Sequence, residues 1–359
     1  IDECSNMKLE VLPPDLNSGQ YKFTVNKHGQ IVYGIGAIKG VGEGPVEAII
    51  KAREDQGAFE DLFDFCAKVD LKKINKRVLE KLILSGAMDK LGPHRAAIMA
   101  SLKEALDAAS QNAKAALAGQ GDLFGMEDFT QTHTEHSYQQ VPPWPERVWL
   151  DGEKETLGLY LTGHPMSQYI GEAKHYIDCT VKDLMPTRRD VHTRTAGLIY
   201  ALRVLTNKQG RRWALVTLDD KSARMEMRVS PDMFEQFEDQ LAVDNLIWIK
   251  GQVSFDRYSE STTMSILEVM PLVEARNRFA KRLSLALKTT ECTLSSVSKL
   301  QDILHQYKGG TCPLHIHVEH PDAALEMITG TNWFMKLEDE LIADLTHLLG
   351  KQNVNLAFN

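Results

Sequence analysis

The chain has 359 residues, of which 43% are hydrophobic and 25% are charged, as in globular proteins of about two to four domains. Its formal net charge of −8 excludes a generally basic nucleic-acid-binding protein and confines any DNA contact to local patches. No apolar run has the length of a membrane-spanning helix, the N-terminus is too polar for a signal peptide, and the scattered cysteines favour a reducing cytoplasm.

Residues 1–33 predict strands that form a hairpin. Tyr21, Phe23 and Val25 alternate with polar residues, a turn follows, and apolar residues resume at Ile31. From residue 34 to 118, apolar residues recur at helical spacing and glycines interrupt them. This second pattern predicts an all-α domain of short helices.

The next two segments connect domains. Residues 110–148 are rich in Ala, Gln, Thr, His and Pro and have little periodicity, which predicts a linker at residues 119–148. Residues 149–190 predict a helical connector.

The C-terminal half predicts two further domains. Residues 191–273 give three strands, a helix from Pro231 to Leu241 and two more strands, which is the element order of an OB-fold β-barrel. Residues 274–359 give the order βαββαβ, with a weak third strand from Met327 to Met335. That order is typical of a small ferredoxin-like domain, so the whole chain is predicted to be a multidomain α+β protein.

The strongest local motif is the glycine-rich stretch from Ile38 to Pro45, which resembles a helix–hairpin–helix element. We expect positive φ angles at its glycines and a new helix that begins at the proline. Amides at such a helix start bind a phosphate without distinguishing the base sequence. The alternative is a plain turn between packed helices. The residues assigned to DNA are Lys39, Gly40, Val41, Gly42 and Gly44, and we expect both Gly40 and Gly42 to adopt conformations that a side chain disfavours.

A basic run lies at residues 68–81, where six lysines and arginines oppose two acidic residues. Charge runs are usually solvated helix faces, but this run neighbours the hairpin. We therefore assign DNA contact to Lys72, Lys73, Lys76 and Arg77.

The predicted barrel carries a second basic region. Residues 194–228 contain eight basic and three acidic side chains, with aromatic residues on or near the same strands. Such a surface favours single-stranded nucleic acid through backbone attraction and base stacking. The alternative is that the aromatic residues are core and the arginines are edge charges. The residues assigned here are Arg203, Lys208, Arg211, Arg212 and Trp213.

Catalytic and metal motifs are not apparent. Cys312, His315, His317 and His320 lie near one another in sequence, but the histidines alternate with apolar residues as on the solvent face of a strand. A closed zinc site needs four ligands, so we predict no metal site. We also find no nucleotide-binding loop and no hydrolase or metalloprotease motif.

Four segments resemble the alpha-subunit family of bacterial DNA polymerase III. They are residues 11–17 (VLPPDLN), 33–42 (YGIGAIKGVG), 79–88 (LEKLILSGAM) and 155–165 (ETLGLYLTGHP). The resemblance spans nearly the whole chain and implies a C-terminal portion of that subunit. It assigns residues 1–33 to the end of the fingers, 34–118 to a helix–hairpin–helix domain, 119–148 to a linker with a clamp-binding peptide, and 274–359 to a tau-binding domain.

The resemblance also implies what this chain lacks. The palm, with its metal-binding aspartates, is expected upstream, and the first residue, Ile1, fits a fragment. Mg²⁺ is therefore expected for the parent polymerase and no cofactor for this chain, which should not polymerise DNA by itself. The family is bacterial and cytoplasmic.

Two partner proteins follow from the resemblance. The linker residues Gln120, Asp122, Leu123 and Phe124 fit the Gln-x-x-Leu-Phe peptide that docks on the sliding clamp (beta). In the alternative, Leu123 and Phe124 pin the linker to its own protein. The last domain is expected to bind the tau subunit of the clamp loader, with core packing as the alternative for the four residues assigned to it: Trp333, Phe334, Leu356 and Phe358.

Two other functions stay open from the sequence alone. The chain could be a free-standing single-strand DNA-binding or repair scaffold, or a protein-interaction adaptor.

Overall fold

The structure, a computed structural model, describes Cys4 and residues 7–117, 137–186, 191–256, 260–290 and 292–358. The chain divides into two compact units, residues 1–165 and 166–359. The division falls inside the segment 149–190, which the sequence predicts as one connector. Within the described ranges, no helix combines the length and the apolarity that crossing a membrane requires.

The first unit combines a small sheet with helices. Strands β2 and β3 form the antiparallel hairpin that the sequence predicts, and β1 pairs with β3 in parallel. The elements are β1 (Val11–Leu12), β2 (Thr24–Val25), β3 (Ile31–Val32), α1 (Glu43–Gln56), α2 (Leu62–Lys68), α3 (Lys76–Leu84), α4 (Arg95–Leu117) and α5 (Glu146–Leu157).

Helices form in this unit where caps and an apolar face coincide. At the start of α3, the Asn75 side chain accepts a hydrogen bond from the Val78 amide at 3.0 Å, as a helix N-cap does. Leu79 and Leu82 of α3 are fully buried. They share one core with Tyr33 after β3, so the small sheet and the helices fold as one body.

A buried ion pair fixes the chain that follows α5. Glu153 is fully buried. Its carboxylate accepts hydrogen bonds from the Arg95 guanidinium at 3.0 Å, from the Leu161 and Thr162 amides at 3.0 Å and from the Thr162 hydroxyl at 2.6 Å. Arg95 also donates to Asp89 at 2.7 and 2.8 Å. Because each buried charge has a partner of opposite charge, these interactions offset the free-energy cost of removing the charges from water.

The second unit begins with a short helix and a closed five-stranded barrel of order β4-β5-β6-β8-β7. Strand β6 pairs with β8 in parallel, and β4 pairs with β7 to close the barrel. This order, with a helix between the third and fourth strands, is that of an OB-fold. The elements are α6 (Ile170–Ala173), β4 (Thr193–Thr206), β5 (Arg212–Asp219), β6 (Arg224–Val229), α7 (Pro231–Phe237), β7 (Leu246–Asp256) and β8 (Ser261–Pro271).

The chain then forms a four-stranded sheet of order β12-β11-β9-β13 with flanking helices. The core face of β9 presents Leu283 and Leu285, which pack with Leu300, Leu341 and Leu345. The elements are α8 (Leu272–Phe279), β9 (Arg282–Lys288), α9 (Leu294–Gln306), β10 (Lys308–Cys312), β11 (Leu314–His320), β12 (Ala323–Ile328), α10 (Asp339–Leu349) and β13 (Val354–Ala357).

The multidomain α+β fold is thus confirmed, with two differences in the last domain. The first two strands of its βαββαβ order, β9 and β11, pair directly in parallel, whereas a split arrangement has another strand between them. The third strand, β12, begins earlier than predicted because His320 and Ala323 are opposite each other across a two-residue turn. A turn this short fixes where the returning strand starts.

Arg276 of α8 stabilises the interior of the second unit. Its guanidinium donates to Glu172 of α6 at 3.0 Å and to Asp339 of α10 at 2.8 Å. Burial is the main influence on the pKa of Glu172 and raises it, while the neighbouring guanidinium opposes the rise. The Arg276 pairs therefore link three segments that are distant in sequence.

Candidate nucleic-acid interfaces

The glycine-rich hairpin of the first unit is exposed at its tip. Gly42 is the N-cap of α1 and provides no side-chain cap, so the first-turn amides of Glu43 and Gly44 have no acceptor within the helix. Lys39 and Gly40 are also exposed, whereas the Val41 side chain is buried. Val41 can therefore contact DNA only through its backbone.

The two central glycines have different backbone conformations. Gly40 has a φ of +84°, which favours glycine. Gly42 has φ −79° and ψ 174°, and our expectation of a disfavoured conformation there is wrong. The physical reason is that an N-cap residue is ordinarily extended. Helix α1 also starts at Glu43, so Pro45 lies within the first turn and is not the first helical residue.

Helix α5 and the residues after it support the base of the hairpin. The Lys39 amide donates to the Thr156 carbonyl at 2.8 Å, and the Tyr33 hydroxyl donates to the Leu157 carbonyl at 3.4 Å. The Lys39 side chain passes over Gly158, whose φ is +82°. The segment 155–165, which is part of the family resemblance, thus positions the hairpin.

The basic residues of α3 approach the hairpin through a residue that the sequence assignment omitted. Lys81 lies beside Gly40 and forms an ion pair with Glu155. Arg77 is one helical turn away on the same face, because residues four apart are neighbours on a helix. Helical spacing from Arg77 would have identified Lys81.

The other assigned cations near α3 are at the surface. Lys72, Lys73, Lys76 and Arg77 are all exposed. The Lys76 ammonium is 3.7 Å from the Glu80 carboxylate, four residues along α3. Exposed pairs of this kind contribute little, so a phosphate can compete for the lysine.

The barrel of the second unit carries the other candidate surface, on the outer face of β5 and β6. Along β5, Ala214 and Val216 point into the barrel, while Trp213 and Leu215 alternate with them and are half-buried on the outside. Along β6, Arg228 is exposed, and its guanidinium lies 5.6 Å from the centre of the Trp213 ring. Trp213 is therefore a surface aromatic residue and not part of the barrel core.

Two adjacent grooves run along this face. One, of about 350 Å³, is lined by Trp213, Arg228 and the loop residue Asn207. The other, of about 330 Å³, is lined by Arg228 and by residues beside the β7–β8 connection, such as Thr262. Arg228 lines both, which places a cation at the centre of the surface. The strand alternation that exposes Arg224 and Arg228 was visible in the sequence, but the assignment omitted them.

All three arginines that the sequence assigned to this surface form ion pairs with nearby carboxylates. Arg203 donates to Glu226 at 2.7 Å. Arg211 donates to Asp232 at 2.5 Å, and Arg212 donates to Glu238 at 2.6 and 2.7 Å. The acidic partners of Arg211 and Arg212 lie in or beside α7, which packs against β5. These pairs are much closer than that of Lys76 with Glu80 and compensate the arginine charges more fully, so Arg228 and the loop residue Lys208 are the better candidates for a phosphate contact.

The residues assigned to the clamp and to tau differ in whether the structure describes them and in how far they are buried. Gln120, Asp122, Leu123 and Phe124 lie outside the described residues. Phe358 is buried, which favours the core alternative for this residue, and Leu356 is half-buried on β13.

Trp333 and Phe334, the two aromatic residues assigned to tau binding, follow β12 and do not lie on a strand. The predicted strand from Met327 to Met335 is therefore wrong at these positions. Trp333 ends a short 3₁₀ helix, and the Lys308 ammonium lies 3.4 Å from the centre of its ring. Phe334 comes next and is half-buried. Both residues remain predicted contacts of a partner.

The structure brings together no metal site in the part of the chain that it describes. No group of three His, Cys, Asp or Glu side chains there is placed to hold an ion. His315 and His317 both approach the Glu326 carboxylate, at 3.1 and 3.7 Å.

Several solved structures are similar to part of this chain. They include an OBody bound to hen egg-white lysozyme (18% identity, 27% of this chain, 94% of that chain, TM-score 0.22). Another is the second OB-fold domain of replication protein A from Methanococcus maripaludis (14% identity, 26% of this chain, 95% of that chain, TM-score 0.20). The OB-fold assignment rests on the strand order of the barrel and not on these low-scoring likenesses.

Two family models match the chain. The helix-hairpin-helix motif matches residues 8–98, which include the exposed hairpin and α3. The C-terminal domain of DNA polymerase III subunit alpha matches residues 299–350.

Curated relatives match along the whole chain. The DNA polymerase III subunits alpha of Vibrio cholerae and Escherichia coli K12 are 49% and 47% identical over 359 and 360 aligned positions, which cover 100% of this chain. That of Pseudomonas aeruginosa is 40% identical over 376 positions. The chain spans only 31% of the length of the first two relatives. It therefore belongs to the DNA polymerase III alpha-subunit family and corresponds to a C-terminal part of that subunit.

Proposed function

We propose that this chain is the non-catalytic, DNA-holding part of a bacterial replicative DNA polymerase. The observation that carries the proposal is the exposed hairpin of residues 38–44, which ends at a helix start without a side-chain cap. It lies within the segment matched by the helix-hairpin-helix model. DNA is the ligand that this element and the polymerase family share.

The hairpin is suited to duplex DNA of any sequence. The first-turn amides of Glu43 and Gly44 provide hydrogen-bond donors and the positive end of the helix dipole. Lys39 and Lys81 add positive charge beside them. The Glu43 carboxylate repels an anion, so the attraction from the amides and lysines must exceed this repulsion. Contacts of this kind position a duplex but carry no base information.

Gly42→Val tests the hairpin. The backbone angles of Gly42 suit any residue, and an added Cβ would meet only a Pro45 carbon at 4.0 Å. The side chain should therefore obstruct a phosphate without straining the fold. We expect duplex affinity to fall about tenfold or more, since charge-assisted hydrogen bonds contribute roughly 1.5–3 kcal/mol.

The matched control is Gly330→Val. Gly330 is also the cap of a helix start, has similar angles (φ −72°, ψ 170°) and has open space around it. Fluorescence anisotropy should be measured with two duplexes of unrelated sequence. Gly42→Val should lose affinity for both duplexes to the same extent, and Gly330→Val should lose affinity for neither. Unchanged affinity in a folded Gly42→Val protein would refute the role of the hairpin.

The barrel is proposed to bind single-stranded DNA. Trp213 offers a ring for base stacking, and Arg228 offers a charge between the two grooves. Stacking on an aromatic residue beside a cation is the usual way in which OB-folds hold a single strand. This part of the proposal is independent of the hairpin, because the two surfaces belong to different units.

We also propose that residues 120–124 dock on the sliding clamp and that the last domain binds the tau subunit. Support for the clamp comes from the sequence pattern. Leu123→Ala combined with Phe124→Ala removes most of the apolar contact and should weaken clamp binding by about a hundredfold or more. Calorimetry measures that loss, and thermal unfolding is the control. Intact binding, or a collapse in stability, would mean that both residues pack inside the protein.

The parent polymerase is expected to use Mg²⁺, whereas this chain is expected to need no cofactor and to extend no primer. Nucleotidyl transfer requires acidic ligands for two metal ions, and the described residues group no such ligands. Template-dependent extension by the pure chain would contradict the proposal.

A further inference from the structure

Strand β12 is an unusually open edge of the C-terminal sheet. It is the outermost strand, and all six of its residues are exposed. Leu325, Met327 and Ile328 are 59%, 48% and 65% exposed. The strand contains neither lysine nor proline, which are common means of protecting an edge. Such an edge is a template for another strand.

The register shows which backbone groups are free to pair. The Thr329 amide donates to the Leu314 carbonyl at 3.1 Å, directly across from it. Hydrogen-bonded pairs alternate along antiparallel strands, so residues 323, 325 and 327 bond to β11. The amides and carbonyls of Ala324, Glu326 and Ile328 therefore point away from β11, towards the open edge.

The two faces of the edge differ in chemistry. Leu325 and Met327 lie across from Val318 and Ile316, on the face that continues from the core. Glu326 lies on the other face, across from His317. Its carboxylate is half-exposed, and the His315 hydrogen bond lowers its pKa. One face of an added strand would thus meet apolar side chains, and the other would meet the Glu326 carboxylate between Ala324 and Ile328.

We propose that the open edge of β12 binds an extended segment of a partner protein by strand addition. The segment alternates apolar residues, which lie beside Leu325 and Met327, with a lysine or arginine, which lies beside Glu326. Main-chain hydrogen bonds to Ala324, Glu326 and Ile328 give affinity, and the alternating side chains give specificity. The inference does not depend on DNA binding by either unit.

Charge favours such a partner over a second copy of this chain. In an antiparallel pairing that uses all three outward residues, Ala324 faces Ile328 of the other copy and Glu326 faces its own equivalent. Like charges directly across a ladder are destabilising. A cation at that position is stabilising, so a partner segment with a lysine or arginine fits the edge better.

The test uses a fluorescein-labelled peptide of about seven residues with alternating valine and lysine, titrated with the full chain. A peptide with glutamate in place of each lysine is the charge control. Ala324→Pro removes one outward donor without removing a bond to β11, because proline is tolerated at free edges. Ala324→Val, at the same position, keeps the donor and is the matched variant.

We expect the lysine peptide to bind more tightly than the glutamate peptide. Ala324→Pro should weaken its binding about tenfold, as the loss of one main-chain hydrogen bond does, and Ala324→Val should not. Glu326→Lys should invert the preference between the peptides, by roughly two- to fivefold in each direction as cross-strand charge pairs do. A melting curve shows whether Ala324→Pro is folded. If it is not, the inverted peptide preference of Glu326→Lys tests the proposal by itself.

Three results would overturn the proposal. In the first, the chain binds the lysine and glutamate peptides equally. In the second, the lysine peptide binds equally to Ala324→Pro and Ala324→Val when both variants are folded. In the third, the parent chain sediments as a dimer and Ala324→Pro sediments as a monomer. The last result would assign the edge to a second copy.

Discussion

Trp213→Ala on the outer face of the barrel is the most informative single change for single-strand binding. The Trp213 ring is half-buried on the outer face of β5, so part of it is available to a base. Arg228 lies 5.6 Å from the ring centre and lines both grooves. A base that stacks on Trp213 would therefore have its phosphate near this guanidinium.

The expected magnitude follows from this geometry. Base–aromatic stacking contributes about 1–3 kcal/mol per base. Because the Trp213 ring is half-buried, we expect the lower part of that range, about 1–2 kcal/mol. That corresponds to a loss of roughly five- to thirtyfold in affinity for an oligothymidine. Truncation leaves the barrel core intact, so the melting temperature should change little.

Trp333→Ala is the matched control. Trp333 is also half-exposed and lies beside a cation, Lys308 at 3.4 Å, but it belongs to the last domain. Fluorescence anisotropy in the same buffer should show no loss of single-strand affinity for Trp333→Ala. Equal losses for both variants would show that the effect is not specific to the barrel surface.

Salt dependence separates the arginines. A phosphate contact to single-stranded DNA contributes about 0.7 to the slope of log K against log salt. Arg228→Gln should reduce the slope by about that amount. Arg212→Gln should reduce it less, because Arg212 already pairs with Glu238. A larger slope change for Arg212→Gln, or full affinity for Trp213→Ala, would refute this description of the surface.

Two further predictions concern stability and thiol chemistry. Glu153→Gln should cost about 2–4 kcal/mol in the free energy of unfolding, because it leaves the buried Arg95 partly uncompensated. Glu155→Gln, on the exposed side of the same helix, should cost much less, and denaturant titration of both compares them. Burial raises the pKa of Cys66 to about 12 and that of Cys312 to about 11. Both thiols should therefore stay unlabelled by a thiol reagent at pH 8 in the native protein, and their rapid labelling would contradict their burial.

Local patterns in the sequence determined the elements and their faces. Period-2 alternation located the strands of the barrel, and glycines located the hairpin, because both signals arise from neighbouring residues. The alternation even exposes Trp213 and Arg228 on one face. The family resemblance, based on four short segments, agreed with relatives that match along the whole chain.

Only the tertiary structure decided which charges are available and which strands are neighbours. The sequence predicted Arg211 and Arg212 as phosphate contacts, but α7 and the residue after it place Asp232 and Glu238 beside them. Likewise, the direct pairing of β9 with β11 leaves β12 as an open edge. Ion pairs and sheet order depend on segments that are distant in the chain, whereas periodicity encodes only the element and the face. For that reason the sequence indicated both surfaces proposed to contact DNA, and the fold showed which charged residues on them are already paired.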